Sequence, residues 1–312
     1  MTLPMSLLES SSPLACRRIA PALQQPVLES SSPLPSPPQG CGGEGENARG
    51  VIGDGHRPPL QVLDGKQPPG LSAREVAGLN QRFAGRSTQE VLAWAWERFG
   101  NRAAIGTSYQ GAGLVMMHLA KMAGLRFPVF TLDTGLLFPE TLALKRRLED
   151  FYGLKIEAVE PDLTVEEQAD VHGPELWKRD PDLCCTARKV LPLRGKLEEL
   201  ACWLTGLRRQ QSQARAAVEI VELYHLDEET GRQIVKVNPM AHWSRQEIWS
   251  HIQKHKIPYN PLHDLGYRSI GCMPCTRKIT EGQEERAGRW IGFKKVECGI
   301  HTFLPKKVDF QI

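Results

Sequence analysis

Ala103-Ala104-Ile105-Gly106-Thr107-Ser108-Tyr109-Gln110-Gly111-Ala112-Gly113 passes from a short apolar run into a polar turn rich in glycine, and the apolar spacing of a helix follows from Leu114 to Met122. The run is short enough for a buried strand, and the turn separates it from the helix. The same unit returns downstream. Pro128-Val129-Phe130-Thr131-Leu132 reads as a strand, Asp133-Thr134-Gly135 as its loop and Pro139 to Phe151 as a helix. Lys155 to Val159 and Ala201-Cys202-Trp203-Leu204-Thr205 continue the strand series, the latter leading into Gly206-Leu207-Arg208-Arg209-Gln210. Upstream, folded sequence begins near Leu71, and Ser87-Thr88-Gln89-Glu90 has the form of a capping box opening a helix through Phe99. Alternation of this kind predicts an α/β fold: a parallel twisted sheet with helices on both faces, joined by right-handed crossovers. Ligands then sit outside the carboxyl ends of the strands, so the three post-strand loops are expected to converge on one rim.

The first loop has the parts of an anion site. Ser108 and Gln110 carry side-chain donors, Gly111 and Gly113 allow close backbone approach, and the following helix aims its N-terminal amides at the loop. It lacks the lysine of the Walker pattern and does not match GxGxxG. Asp133-Thr134-Gly135 suits either a ribose contact or a cap for the next helix.

Residues 1 to about 70 differ in kind. They hold twelve of the 23 prolines and no sustained apolar period, so a packed core is not expected there. Leu-Glu-Ser-Ser-Ser-Pro-Leu occurs at 8–14 and again at 28–34, a low-complexity duplication. Arg17-Arg18 and the serines suggest a transit segment, but Glu9, Glu29, Glu44 and Glu46 oppose it, and a mis-assigned start explains the stretch equally well. The expected organisation is a disordered extension over 1–70, a catalytic domain over 71–290 and a mobile segment over 291–312. A net charge of +3 is small for 312 residues, so nucleic-acid binding would need a concentrated basic patch. Eight cysteines without an apolar N-terminal stretch argue against a disulfide-stapled secreted protein, and no run is long enough to span a membrane. A soluble protein of a reducing compartment, the cytoplasm, is expected.

Cysteines carry the sharpest signal. Cys184-Cys185 are adjacent, Cys272-Met273-Pro274-Cys275 follows much later, and Cys298 stands alone in Glu297-Cys298-Gly299-Ile300-His301. A Cys-x-x-Cys by itself suits zinc, a redox dithiol or an iron–sulfur cluster. Adjacent thiolates favour a four-iron cluster, which offers each sulfur its own iron, over a single zinc ion. Cys202, inside an apolar strand, reads as a buried structural residue, and Cys16 and Cys41 in the extension take no role. Cys298 is bordered by Lys294, Lys295, Arg286, Arg289 and His301, surroundings that favour the reactive thiolate, and Gly292 and Gly299 would let its segment move. The basic set Arg208, Arg209, Arg215, Arg277, Lys278, Arg286 and Arg289 suggests a compact polyanionic ligand.

Taken in order, Thr131-Leu132-Asp133-Thr134-Gly135, Cys184-Cys185-Thr186-Ala187-Arg188-Lys189-Val190, Thr205-Gly206-Leu207-Arg208-Arg209, Val235-Lys236-Val237-Asn238-Pro239 and the run from Tyr259 through Trp290 resemble the assimilatory adenylyl-sulfate (APS) reductases, the iron–sulfur-containing branch of the PAPS/APS reductase family. The resemblance covers about residues 86 to 301. It implies an adenine-nucleotide alpha-hydrolase-like fold and a thioredoxin-dependent reduction of APS to sulfite and AMP. In the implied site, Ser108, Gln110, Gly111, Leu132, Asp133, Thr134, Gly206 and Arg215 contact the nucleotide. Lys189, Arg286, Arg289 and His301 hold the phosphosulfate. Cys184, Cys185, Cys272 and Cys275 ligate a [4Fe-4S] cluster, and Cys298 is the nucleophile. Implied partners are APS and a thioredoxin- or glutaredoxin-type dithiol donor, with no nucleic acid and no membrane; a homo-oligomer is compatible with the sequence. Cluster-bearing members of the family favour APS and cluster-free members its 3′-phosphorylated form. Competing readings are a phosphoadenylyl-sulfate reductase, an ATP-dependent sulfur- or amido-transferase, whose Ser-Gly-Gly-x-Asp-Ser loop is not matched here, and a zinc-stabilised nucleotide- or RNA-binding module.

Overall fold

The computed structural model describes residues 70–227 and 230–301. All but the last residue of the expected disordered extension, and the chain after His301, lie outside the described residues. Two capped helices open the fold. Ser72 and Glu75 close a capping box on α1 (Ala73–Phe83), and Ser87 and Glu90 do the same for α2 (Thr88–Phe99), as the sequence pattern predicts. Each cap is worth about 1 kcal/mol of helix stability.

The sheet forms around β1 (Ala103–Gly106), which pairs in parallel with β2 (Val129–Leu132) and with β4 (Cys202–Leu204). Strand β3 (Ile156–Val159) extends the β2 side in parallel. Helices α3 (Gly111–Met122) and α4 (Pro139–Tyr152) are the crossovers between the first three strands. Helix α3 begins at Gly111, three residues before the apolar period from which the sequence places it; its first turn is small residues packed under other elements. Strand alternation divides the core. Ala103, Ile105, Cys202 and Leu204 face a large cluster with Leu92, Leu114, Met116, Leu144 and Leu148. Ala104, Phe130 and Trp203 face a smaller one with Leu193, Leu197 and Tyr224.

The expected parallel sheet is present across five of its six strands, and the sixth adds an antiparallel edge. Strands β5 (Val221–Asp227) and β6 (Arg232–Val237) form an antiparallel hairpin, giving the order β3-β2-β1-β4-β6-β5. Only β6 joins the parallel set, against β4. Strand β5 carries a half-buried alternation and so can serve as an edge, while β6 is buried from Ile234 onward. Helices α5 (Val165–His172), α6 (Leu176–Arg179), α7 (Pro181–Cys185) and α8 (Leu191–Glu198) follow β3, and α9 (Arg245–Lys254) follows the hairpin. Between α7 and α8 the chain widens into a π-turn, Thr186–Val190, immediately after the adjacent cysteines. Such turns concentrate at functional sites because the inserted residue re-aims its neighbours.

Candidate active site

A cavity of ≈180 Å³ opens at the carboxyl ends of β1, β2 and β4. All three post-strand loops reach it: Ser108, Gln110 and Gly113 from the first, Leu132 and Thr134 from the second, Gly206 from the third. Gly206 is required by close approach, since an added Cβ would press to 3.0 Å on the Gly113 amide nitrogen. The Gln110 side chain ties the first loop to the distant cysteine segment, its Oε1 accepting from the Ile270 amide at 3.1 Å. Lys189, Arg215, Arg286, Arg289, Cys298 and His301 complete the wall with Cys272, so four cations and two thiols share a compartment with the loops.

Two expected contacts stand outside that lining. Gly111 packs under Ile248 of α9, and Asp133 turns its carboxylate back to accept from the Gly135 amide at 3.0 Å, a local turn, while α4 has Phe138 at its N-cap and no side-chain cap. Thr134 lines the cavity yet sets its hydroxyl 3.2 Å from Cys272 Sγ. Nor does the whole basic set converge. Arg208 is buried against Glu285 at 2.8 Å, Arg209 donates to the Val218 carbonyl at 2.8 Å, and Arg277 donates to the carbonyls of Met273 and Thr276.

Four cysteines meet in a second, narrow pocket. Asp180 caps α7 by accepting from the Asp182 and Leu183 amides, which presents Cys184 and Cys185 on one short helix. Cys272 and Cys275 flank a 3-10 turn pinned by the Met273 amide donating to the Leu136 carbonyl at 2.8 Å. The pocket is lined by all four together with Leu136, Trp177, Pro181, Arg188 and Lys189. Burial pushes the Cys184 thiol up to about 12, with Cys185, Cys272 and Cys275 adding repulsion, and burial likewise raises Cys185 and Cys275. Cys272 is lowered: burial opposes its thiolate, but Lys189 and the Thr134 hydroxyl outweigh that. Among the described residues no three Cys, His, Asp or Glu side chains close around a single ion. The donor set nevertheless fits an iron–sulfur cluster, because it is all sulfur, shielded from water, and needs a bound cation to hold its thiols ionised. Arg188, missed in the sequence, scaffolds the pocket by donating to the carbonyls of Thr134, Leu163 and Thr164 and to Gln168.

Cys298 lies on a strap running from Trp290 to His301. Gly292 and Gly299 take φ of 90° and 88°, the left-handed region that glycine enters without strain. The segment expected to be mobile is docked here over residues 291–301. Tyr224 donates to the Ile300 carbonyl at 3.1 Å, Lys236 donates to the His301 carbonyl at 3.4 Å, and Lys295 pairs with Asp182. The His301 ring stacks on Trp203 with centroids 5.2 Å apart and planes 12° from parallel. Burial, with Arg215, Lys236 and Arg286 nearby, drives its pKa far below the ordinary histidine range, so the ring is neutral. Its Nδ1 and the Arg286 Nε are buried without a partner, polar atoms held ready at the cavity wall. Lys189 is buried; burial opposes its charge, but Cys272, Cys185 and Cys298 push its pKa up.

Residues 102–278 match the Phosphoadenosine phosphosulfate reductase domain. The chain belongs to that family. An adenosine 5′-phosphosulfate reductase of Salinibacter ruber is 42% identical over 234 residues, covering 74% of this chain and 90% of that protein. One from Halalkalibacterium halodurans is 40% identical over 224 residues, covering 72% and 95%. A phosphoadenylyl-sulfate reductase from Candida auris, solved as a phosphate complex, superposes with a TM-score of 0.59 at 31% identity, covering 67% of this chain and 99% of that one.

The α/β reductase fold expected from the resemblance is therefore the fold observed. Family membership was legible in the motifs, but the strap's docking was not: Trp203, Tyr224, Lys236 and Glu297 gained no role from sequence. Trp203 packs over Gly106, where an added Cβ would collide with the indole, a contact between strands that the sequence does not reveal. No helix among the described residues is long and apolar enough to cross a membrane.

Proposed function

We propose that this protein reduces adenosine 5′-phosphosulfate to sulfite and AMP in assimilatory sulfate reduction and cysteine biosynthesis, through a sulfonated Cys298. The observation that carries the reading is the shared cavity. The Cys298 thiol, three arginines and a lysine line the same space as the nucleotide-side loops. The adenylate end is assigned to Ser108, Gln110, Leu132, Thr134 and Gly206 with the first turn of α3. The phosphosulfate is assigned to Lys189, Arg286, Arg289 and His301.

In the first half-reaction the Cys298 thiolate forms an S–S bond to the sulfonate sulfur, and the bond from that sulfur to the phosphate oxygen breaks with its electron pair leaving on AMP. Arg286, Arg289 and Lys189 face the charge that gathers on the departing phosphate, in a site where water screens little. In the second half-reaction an external dithiol of the thioredoxin or glutaredoxin type attacks the Cys298 sulfur, sulfite leaves, and the donor's second thiol closes its disulfide and frees Cys298. The donor is oxidised by two electrons and the sulfonate sulfur is reduced by two.

Cys184, Cys185, Cys272 and Cys275 are the residues we assign to a [4Fe-4S] cluster. When bound, the cluster supplies a compact negative charge, not electrons to the substrate. Around it, this chain's own groups orient the substrate: Lys189 is shared between the pocket and the cavity, and Thr134 touches both. The free thiols among the described residues support a reducing compartment, the cytoplasm, for the reaction.

A second reading, reduction of the 3′-phosphorylated nucleotide, is favoured by the likeness to the Candida auris protein. One experiment decides between them: protein purified without oxygen is mixed with each nucleotide and thioredoxin, and sulfite is measured. Sulfite from APS supports the proposal. Sulfite only from the 3′-phosphorylated form moves the substrate, and none from either overturns the function.

A further inference from the structure

Arg215 and Arg286 are not waiting empty for a ligand. The Glu297 carboxylate takes Arg215 in a two-pronged bond, Nε to Oε1 and Nη2 to Oε2, both at 2.7 Å. Its Oε2 also accepts from Arg286 Nη2 at 3.1 Å, and the same Nη2 donates to the Val296 carbonyl at 3.0 Å. The carboxylate is 17% exposed and the two arginine side chains 10% and 13%, so the cluster is largely shielded from water. Glu297 directly precedes Cys298. Arg215 comes from the loop after β4, 82 positions away, and Gln211 on that loop holds its other end at 2.6 Å.

Two features say that this carboxylate orients the arginines and does not substitute for substrate. Glu297 is not among the cavity-lining side chains, although Arg215 and Arg286 are, so it grips them from behind. It also leaves the buried Arg286 Nε unpartnered. The charge arrangement needs it as well. Burial and the neighbouring Arg215 pull the Arg286 pKa down to about 10, and the Glu297 carboxylate gives the largest opposing pull. Take it away and two buried guanidiniums face each other, with the strap losing its hold on both.

We infer that Glu297 is a positioning residue: by binding Arg215 and Arg286 from behind, it fixes the neighbouring Cys298 thiol in the cavity and ties the nucleophile to the anion cradle. The inference rests on Cys298 being the nucleophile, and its test separates the two. An anchor one residue from the reacting atom acts on geometry, and a displacement of about 1 Å is enough to cost roughly a hundredfold in turnover. Binding of AMP, which depends on the loops and α3, is spared.

The test uses the full chain carrying Glu297→Ala or Glu297→Gln. Iodoacetamide is added without nucleotide, and the alkylation rate of the Cys298 peptide is followed by mass spectrometry. Steady-state turnover is measured in parallel. E297A is expected to speed Cys298 alkylation about fivefold or more, and to lower kcat about ten- to a hundredfold with KM for APS within about threefold. E297Q keeps an acceptor oxygen and falls between, and E297D recovers part of the loss. A far-ultraviolet circular dichroism spectrum and Tm like those of the parent make the kinetic comparison valid, and R215K, which cannot fork a carboxylate, reproduces the alkylation effect if E297A does not fold. Unchanged alkylation with unchanged kcat overturns the inference, as does a change in KM alone. If instead C298S still forms sulfite, the proposed reaction fails while the alkylation result stands on its own.

Discussion

The pocket of Cys184, Cys185, Cys272 and Cys275 and the strap carrying Cys298 both act on Lys189, yet they treat sulfur in opposite ways. In the pocket, four thiols are packed among apolar walls and the scaffolding guanidinium of Arg188, and burial pushes most of them toward the protonated form. On the strap, Cys298 is half-buried at the wall of a cavity with four cations, beside two glycines in the left-handed region. On the proposed reading, identical functional groups divide into ligands and nucleophile by surroundings alone. Four converging, shielded sulfurs suit a bound cation; one sulfur on a segment held by a few polar contacts suits a reaction that must face substrate and then an outside donor.

The largest effect is expected from breaking the pocket. Cys272→Ser should lower iron from about four per chain to near none and reduce Tm by several degrees, because ligation energy is folding energy. Iron analysis and thermal unfolding check this. Full iron retention would remove Cys272 from the ligand set. A smaller effect, on turnover only, is expected at the residue the two regions share. Lys189→Ala should lower kcat about a hundredfold while AMP binding stays within about threefold. An equal loss of AMP affinity would instead make Lys189 a general nucleotide anchor.

The smallest effect concerns the supports of the rim, away from all five sulfurs. His118 on α3 and His251 on α9 are 3.0 Å apart, with His255 packed against both. Burial lowers the His251 pKa to about 4, the charges of His255, His118 and Lys254 adding to it. An unfolded histidine takes its proton near 6.5, and folded His251 not until about 4. The unfolded state therefore binds more protons across that window, and stability present above it is lost as pH falls from 6.5 toward 4. Tm should decline by a few degrees between pH 7 and pH 5, and H251Q should flatten that slope. An unaltered slope would assign the pH dependence elsewhere.

Local signals accounted for much of this. Ser87 and Glu90, three residues apart, mark a helix start that the structure reproduces, and the runs at 103–106, 129–132, 156–159 and 202–204 are strands because each is short, apolar and bounded by a polar turn. The cysteine spacing likewise announced a shared pocket. Long-range partners were not legible. The β5–β6 hairpin escaped notice because its edge strand alternates only loosely with polar residues. Arg215 lines the cavity, but nothing local reveals that Glu297, 82 positions on, holds its guanidinium. Asp133 read two ways, and the helix cap is not formed: its carboxylate accepts from the Gly135 amide and α4 has no side-chain cap. Charge in a sequence shows that ions exist, not which of them neutralise each other, and so Arg208 and Arg277, unlike Arg215, fell away from the cradle once their partners were placed.

The most direct test is to trap the intermediate. Protein incubated with APS and no dithiol should gain one sulfonate, an increase of about 80 Da in intact mass, mapping to the Cys298 peptide and lost with release of sulfite when thioredoxin is added. The adduct should be absent from C298S. Sulfonate on any other cysteine, or sulfite formed by C298S at the parent rate, would contradict the account.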